Sequence, residues 1–323
     1  MKYIVILILF ITTESSHALD FRQYPALVNL VNTMTSQDGY PYDELVEILG
    51  NARIDKSIIR SMNRQYEALP WHKYRNLFIN QDRIHKGVDY WNKHEIILNR
   101  ATREYGVPAS VIVALIGVET HFGTRMGNKR VLDALVTLTA DYPRRSEFFG
   151  SELRIFLNTT HKEDIAAESV TGSFAGAIGI PQFMPSSYEA YAVDFNGNVK
   201  RDLVNEIDDA IGSVANYLKT HGWIKGQAIF VSLAGQIPQS AKEMVSKRAK
   251  PKLSADQIKA SGVVFNTRGG SDKMALLRLQ EEQDYRYIIG FRNFYAITRY
   301  NPSVNYAMAV TELSQQISSQ RAQ

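Results

Sequence analysis

The chain has 323 residues, 45% hydrophobic and 22% charged, a balance that excludes a disordered polymer and is long enough to bury a full core in two or three domains. It contains no cysteine, which removes disulfides, thiolate catalysis and cysteine-ligated zinc. A scattered net charge of +4 without any nucleic-acid-binding motif excludes nucleic acid as the expected partner, and the one dense basic stretch, Lys242 to Lys252, reads as a solvated loop.

In chain order, Met1-Lys2, the apolar stretch Tyr3 to Ile11 and the small residues Ser16-His17-Ala18 have the pattern of a secretory signal peptide cleaved after Ala18. The stretch is too short to span a bilayer comfortably, so no stable membrane anchor is expected after cleavage. Helical spacing of apolar residues follows in Phe21 to Met34, Tyr42 to Leu49, a long amphipathic stretch from Lys86 through Tyr105, and a buried helix ending at Glu119. It continues in Leu132 to Leu138, Glu147 to Leu157, Ser187 to Ala192 and Ile207 to Thr220. After Gly222-Trp223 the pattern changes. Ile229 to Leu233, Gly262 to Phe265 and Tyr287 to Gly290 read as strands of a small β-rich insert, with Thr267-Arg268-Gly269-Gly270 as a turn. Helix returns after Phe291, with a polar tail beyond Leu313.

Glu119 stands out because it ends a wholly apolar run, Val111 to Val118, that opens with Pro108 near the first helical position and closes with Gly123 as the expected C-cap. A carboxylate in the last turn of a buried helix is desolvated and faces the negative end of the helix dipole, and both effects favour its protonated form. Such a group can donate a proton near neutral pH. On the helix alone it reads equally well as an ordinary helix-end carboxylate meeting water or an arginine. A second acid does not stand out: Asp133, Asp141 and Glu147 each fit a surface or helix-pairing role better. Ser173 lacks the strand-to-helix elbow and the partners of a nucleophile, and there is no His-Glu-x-x-His zinc motif.

Around Glu119 stand further motifs: Tyr105-Gly106-Val107-Pro108, Val118-Glu119-Thr120, Tyr142-Pro143-Arg144-Arg145, the stretch Gly172 to Tyr188, Asp209 to Tyr217 and Arg299-Tyr300-Asn301. From about Trp71 to the C-terminus this set resembles the lytic murein transglycosylases of the membrane-bound B type, here without their lipidated cysteine. The resemblance implies a mainly α fold: a lysozyme-like helical core with an N-terminal helical domain and a small inserted β-rich domain. The expected division is 1–18 signal peptide, 19–100 N-terminal helical domain, 101–225 catalytic core, 226–290 β-rich domain and 291–323 C-terminal segment.

It further implies a periplasmic enzyme that cleaves the MurNAc-β-1,4-GlcNAc bond of peptidoglycan glycan strands without water, giving 1,6-anhydromuramoyl products. Glu119 would act first as acid and then as base. Ser173 and Asn301 would orient the N-acetyl or C6 groups, while Arg144, Arg145 and Gln182 would hold sugar and peptide oxygens. Tyr74, Phe183, Met184, Tyr217, Tyr300 and Tyr306 would line the cleft as stacking faces; taken singly, these aromatics read equally as core. Other cell-wall enzymes are conceivable partners. The rivals are a hydrolytic muramidase on the same fold and a non-catalytic peptidoglycan-binding scaffold.

This chemistry requires no cofactor. Asp194 to Lys200 resembles a calcium loop, with Asp194, Asn196, Asn198, Lys200 and Asp209 as candidate ligands. Asn198 replaces the usual acid, Val199 takes the glycine turn position and Asn205 stands at position twelve, so a metal-free hydrogen-bonded turn is favoured over calcium.

Overall fold

A computed structural model describes residues 18–63, 69–266 and 273–323. The signal-peptide reading, apart from Ala18, and the Thr267 to Gly270 turn lie outside the described residues. Helix dominates what is described. The N-terminal group is α1 (Pro25–Thr33), α2 (Tyr42–Gly50) and α3 (Lys56–Met62), followed by α4 (Trp71–Phe78), α5 (Gln81–Lys93) and α6 (Glu95–Tyr105). Then come α7 (Ala109–Thr120), α8 (Val131–Asp141), α9 (Ser146–Lys162), α10 (Pro185–Tyr191) and α11 (Ile207–Thr220). The short helices α12 (Gln239–Lys242) and α13 (Ala255–Ala260) belong to the β-rich part, and α14 (Arg292–Thr298) and α15 (Val304–Arg321) complete the chain.

The long stretch expected from Lys86 through Tyr105 is two helices, α5 and α6, broken at His94, whose backbone leaves helical geometry at φ −114° and ψ 24°. Two packing demands explain the break, since α5 lies against α7 and α15 while α6 also lies against α11. The polar tail expected beyond Leu313 is helical through Arg321, held by the burial of Leu313, Ser314 and Ile317.

Apolar burial divides the molecule into three cores. The largest gathers α7 with α4, α5, α6, α11, α14 and α15. A second joins α1, α2 and α3 to α8 and α9, which are distant in sequence. Trp71 to Tyr105 therefore packs with α7 and not with α1 to α3, so the boundary expected at residue 100 does not follow the division of the cores. The third core lies between Leu233 and Phe291.

Around that third core, β3 (Phe230–Ser232), β5 (Tyr285–Gly290) and β4 (Ala275–Gln280) form an antiparallel sheet in the order β3-β5-β4; a small two-residue pair, β1 (Lys129–Arg130) with β2 (Thr171–Gly172), stands apart. The strand expected at Gly262 to Phe265 is absent. Gly262 turns the chain at φ +84°, Val263 alone is buried, Val264 is 94% exposed, and the ladder is filled by Ala275–Gln280. That strand escapes a pattern search because its leucines favour helix and its burial runs three residues before alternating.

α7 is buried along its whole length apart from Ser110 and the half-buried Glu119. It is a core helix of 12 residues, and among the described residues no single helix is long and apolar enough to cross a membrane. Its Gly117 provides a slot for the Phe122 ring: an added Cβ would stand 2.7 Å from two ring carbons. Phe122 cannot easily withdraw, since its ring also faces Gly87 and lies 5.6 Å from Tyr90. Gly117→Ala should gain about 1 kcal/mol of helix propensity and lose about 2 kcal/mol to overpacking. A lower Tm in thermal denaturation is the expected net result, and an unchanged Tm would show that the ring yields freely.

Candidate active site

The chain leaves α7 through an unusual bend. Pro108 is the N-cap itself, one position before the expected one, and the cap at the other end is His121 rather than Gly123. His121, Phe122 and Gly123 take successive φ values of 51°, 61° and 82°, and left-handed backbone at two non-glycine residues costs on the order of 1 kcal/mol each. Thr120 secures the bend: its hydroxyl donates to the Ile180 carbonyl at 2.8 Å and accepts from the Gly123 N–H at 3.0 Å. Burial, followed by the charges of Arg83 and Lys86, holds the His121 imidazole below its usual pKa and so favours the neutral ring.

Glu119 is thereby fixed at the helix end, half-buried, with its Oε1 accepting a hydrogen bond from the Tyr306 hydroxyl. Tyr306 lies in the first turn of α15, where the Ser303 side chain caps its backbone N–H at 3.3 Å. Tyr300 and Tyr217 complete the surroundings, their hydroxyls donating at 2.5 Å to the carbonyls of Pro181 and Arg299 respectively. Phe183 lies 5.5 Å from Tyr217 and 5.8 Å from Tyr300, ring centre to ring centre, and the two tyrosines are 4.7 Å apart. Burial raises all three phenol pKa values, and the nearby charge of Glu119 adds to the rise. They are neutral donors. Tyr74, buried on α4, belongs to the same cluster, and its phenol adds a little to the rise at Tyr306.

The segment from Gly172 to Met184 forms the facing wall. Ile178 and Phe183 exchange backbone hydrogen bonds of 2.7 and 3.1 Å around a tight turn in which Gln182 is left-handed, at φ 52°. The Gln182 amide donates to the carbonyls of Met126 at 3.1 Å and Gly179 at 2.9 Å, and so braces this wall. Ser173 Oγ accepts from Ala175 N at 3.3 Å and Ala177 N at 3.0 Å, ordering its own loop. Asn301 precedes α15 and accepts from Ser303 N at 3.2 Å.

The other candidates make local contacts of their own. Arg144 and Arg145 are exposed in a short 3-10 turn between α8 and α9, with the Arg145 guanidinium 4.2 Å from the Phe148 ring centre. Met184 is the N-cap of α10 and packs against the second core. Asp133 is committed to Arg130 and to the Arg53 N–H, while Asp141 and Glu147 are exposed on the ends of α8 and α9. Sequence reasoning missed Thr120, whose tethering role depends on a residue sixty positions away, and the rings of Tyr191 and His221. His221 stacks on Tyr217 at 4.1 Å, a contact that the i, i+4 spacing on α11 could have signalled.

The transglycosylase SLT domain family matches residues 22–315. The chain belongs to this family. The membrane-bound lytic murein transglycosylase B of Escherichia coli (strain K12) is 42% identical over 94% of this chain and 86% of its own length. The E. coli lytic transglycosylase SLT35, solved in complex with calcium, superposes with a TM-score of 0.86 at 43% identity, covering 95% of this chain and 97% of that one. SltB3 of Pseudomonas aeruginosa, in complex with NAG-anhNAM-pentapeptide, matches at TM-score 0.78 and 29% identity over 92% of this chain and 79% of that one. The fold is thus the mainly α, lysozyme-like fold of lytic transglycosylases.

This transglycosylase also contains the calcium-like loop after α10. Asp194 accepts from the backbone N–H groups of Gly197, Asn198 and Val199 at 2.7, 3.1 and 2.7 Å. Both oxygens of the buried Asp209 accept backbone N–H groups, from Phe195 at 2.7 Å and Asp202 at 2.9 Å; burial raises its pKa, and these bonds oppose the rise. Asn196 and Asn198 donate their side-chain amides to Glu206, which sequence reading overlooked because it stands one residue past the usual closing position. Lys200 donates its N–H to Asn198 Oδ1 at 2.9 Å, and Val199 takes φ 74° where a calcium loop has glycine. Among the described residues no group of three His, Cys, Asp or Glu side chains converges on a metal position.

The Tyr306 contact yields a test specific to this site. Tyr306→Phe deletes the donor to Glu119 while retaining the ring. A hydrogen bond to a charged group is worth about 1.5–3 kcal/mol, so kcat on sacculi should fall roughly 10- to 100-fold with little change in KM. Wild-type kcat in this variant would remove Tyr306 from the catalytic machinery.

Proposed function

We propose that Glu119 performs both proton transfers of this lytic transglycosylase on the MurNAc-β-1,4-GlcNAc bond of peptidoglycan. The observation that carries the reading is one half-buried carboxyl group, held by a neutral phenol donor at the end of α7, with phenol and phenyl rings around it. In the first step Glu119 gives its proton to the glycosidic oxygen as the C1–O4 bond breaks. In the second its carboxylate takes the proton of the muramoyl C6 hydroxyl as that oxygen closes onto C1. No water enters the balance, and a 1,6-anhydro ring forms. The substrate's N-acetyl group takes the place of a second carboxylate by stabilising the oxocarbenium-like centre.

In this reading the partly exposed Tyr300 offers its ring to a sugar and the buried Tyr74, Phe183 and Tyr217 back it, with Tyr306 acting mainly as the donor that positions Glu119. Ser173, Gln182 and Asn301 contribute through the loops that they order, and Arg144, Arg145 and Met184 serve a more remote part of the strand. The anhydro sugar bound by SltB3 supports the non-hydrolytic outcome. The catalytic unit is best drawn by its core, as α4 to α7 with α11, α14 and α15. Action on peptidoglycan fits export to the periplasm through the leader Met1 to Ala18.

SLT35 was solved with calcium, but the loop of this chain fits the ion poorly. Asp194 and Asp209 are turned to backbone N–H groups, and Glu206 is held by two asparagine amides, so the loop closes on its own hydrogen bonds. We assign calcium no step in the reaction.

Mass spectrometry of fragments released from purified sacculi by residues 19–323 decides the chemistry. Anhydro-muropeptides, absent with Glu119→Gln, are expected. Reducing-end products would make the protein a muramidase, and binding without release would make it a scaffold. For the loop, calcium at 100 times its Kd would raise Tm by roughly 4 °C. We expect a difference below about 2 °C between millimolar calcium and chelator, and a larger one would restore the ion.

A further inference from the structure

Six cations of the β-rich insert line two adjoining hollows. Lys242, Lys247 and Arg278 line one wall of a groove of about 620 Å3 whose other wall is Pro302 to Asn305. A second hollow of about 440 Å3 shares Ser246 and Lys247 with it and adds Arg248, Lys250 and Lys252. All six cations are exposed, and among the described residues no carboxylate lines either hollow. Among the described residues none of the six takes part in an ion pair.

This is the stretch that the sequence presents as a solvated loop, and it is pinned. Ser246 N donates to the Leu276 carbonyl on β4 at 2.8 Å, Lys252 N and Leu253 N donate to the Met274 carbonyl at 3.0 Å, and Ala249 is buried. Arg278 projects from β4 with its guanidinium 4.5 Å from the Tyr285 ring centre. Fixing like charges side by side without counter-charges is unfavourable, and an anionic ligand would relieve it. The opposite wall shows where that ligand comes from. Pro302 follows Asn301, and Asn305 precedes Tyr306, the residue that donates to Glu119.

A glycan backbone offers cations little, whereas the peptide stems of a peptidoglycan strand bear carboxylates. We propose that this groove binds stem-peptide carboxylates of the strand held at Glu119, an inference that rests on the function argued above. The cations add affinity for the stem and leave the chemical step alone.

The test is a Lys242→Gln/Lys247→Gln/Arg278→Gln variant, assayed on stem-bearing glycan strands and on the same strands with their stems enzymatically removed. Three exposed charge contacts, each worth a few-fold, predict a roughly tenfold rise in KM on stem-bearing strands, kcat within about twofold, and unchanged kinetics on stripped strands. Added salt should erase the parent's preference for stems. Equal losses on both substrates, or no loss on either, would overturn the proposal. So would an unchanged KM accompanied by loss of binding to phosphatidylglycerol vesicles, which would reassign the groove to a lipid surface. Sedimentation of stem-bearing strands with a Glu119→Gln background, with and without the three substitutions, tests the groove without turnover. Roughly tenfold weaker binding supports it, and unchanged binding refutes it even if Glu119 proves not to be the acid.

Discussion

A helix that is apolar on every face must be covered on every face, and α7 imposes that requirement on most of the molecule. Helices α5, α6, α11 and α15 are packed against it, and their arrangement delivers Tyr217 and Tyr306 to the neighbourhood of Glu119. Glu119, the charged residue near the end of the run, is where we propose that this core meets chemistry. Placement of the acid is therefore a consequence of packing, and the left-handed bend after Thr120 is a local cost offset by the burial of the preceding turns.

The rigidity of the site comes from hydrogen bonds that join distant segments. Thr120 holds Ile180, Tyr300 holds Pro181, and Gln182 holds Met126 and Gly179, so one short wall is tied to the end of α7, the start of α15 and its own turn. Each acceptor is a backbone carbonyl. A carbonyl shifts only if the chain shifts, so these bonds fix the wall more firmly than contacts between mobile side chains would.

Much of this was legible, for identifiable reasons. Glu119 is a candidate through its place at the end of an apolar run together with the motifs around it, since the helix alone reads equally well as an ordinary helix end, and Ile207–Thr220 follows its apolar spacing to the residue. The role of Tyr306 was hidden, since a tyrosine in an apolar stretch carries no sign of a partner 187 residues earlier. Likewise Gln182 belongs to a legible motif, but its amide faces backbone where a sugar oxygen was expected. The break at His94 and the strand Ala275–Gln280 answer to tertiary packing, which local periodicity does not record. Glu206 is hidden for a different reason: it lies one residue outside a twelve-residue calcium pattern, and the loop closes on amide donors.

The phenols also bear on why a ring closure would prevail over hydrolysis. Tyr217 and Tyr300 direct their hydroxyls to backbone carbonyls and Tyr306 directs its own to Glu119, so each phenol has its donor engaged before substrate arrives. Tyr217 and Tyr306 are buried and Tyr300 is partly exposed, so the three hydroxyls have no proton left to offer a solvent molecule and can only accept. A water molecule needs two to four polar partners to be held in a confined site, and a wall of spent phenols supplies few. The C6 hydroxyl, by contrast, is carried in covalently by the sugar and needs no separate site. Intramolecular attack then gains the effective concentration of a tethered nucleophile, while its competitor is denied a stable position. By this argument the outcome depends on how the tyrosine hydroxyls are occupied as well as on the identity of the acid.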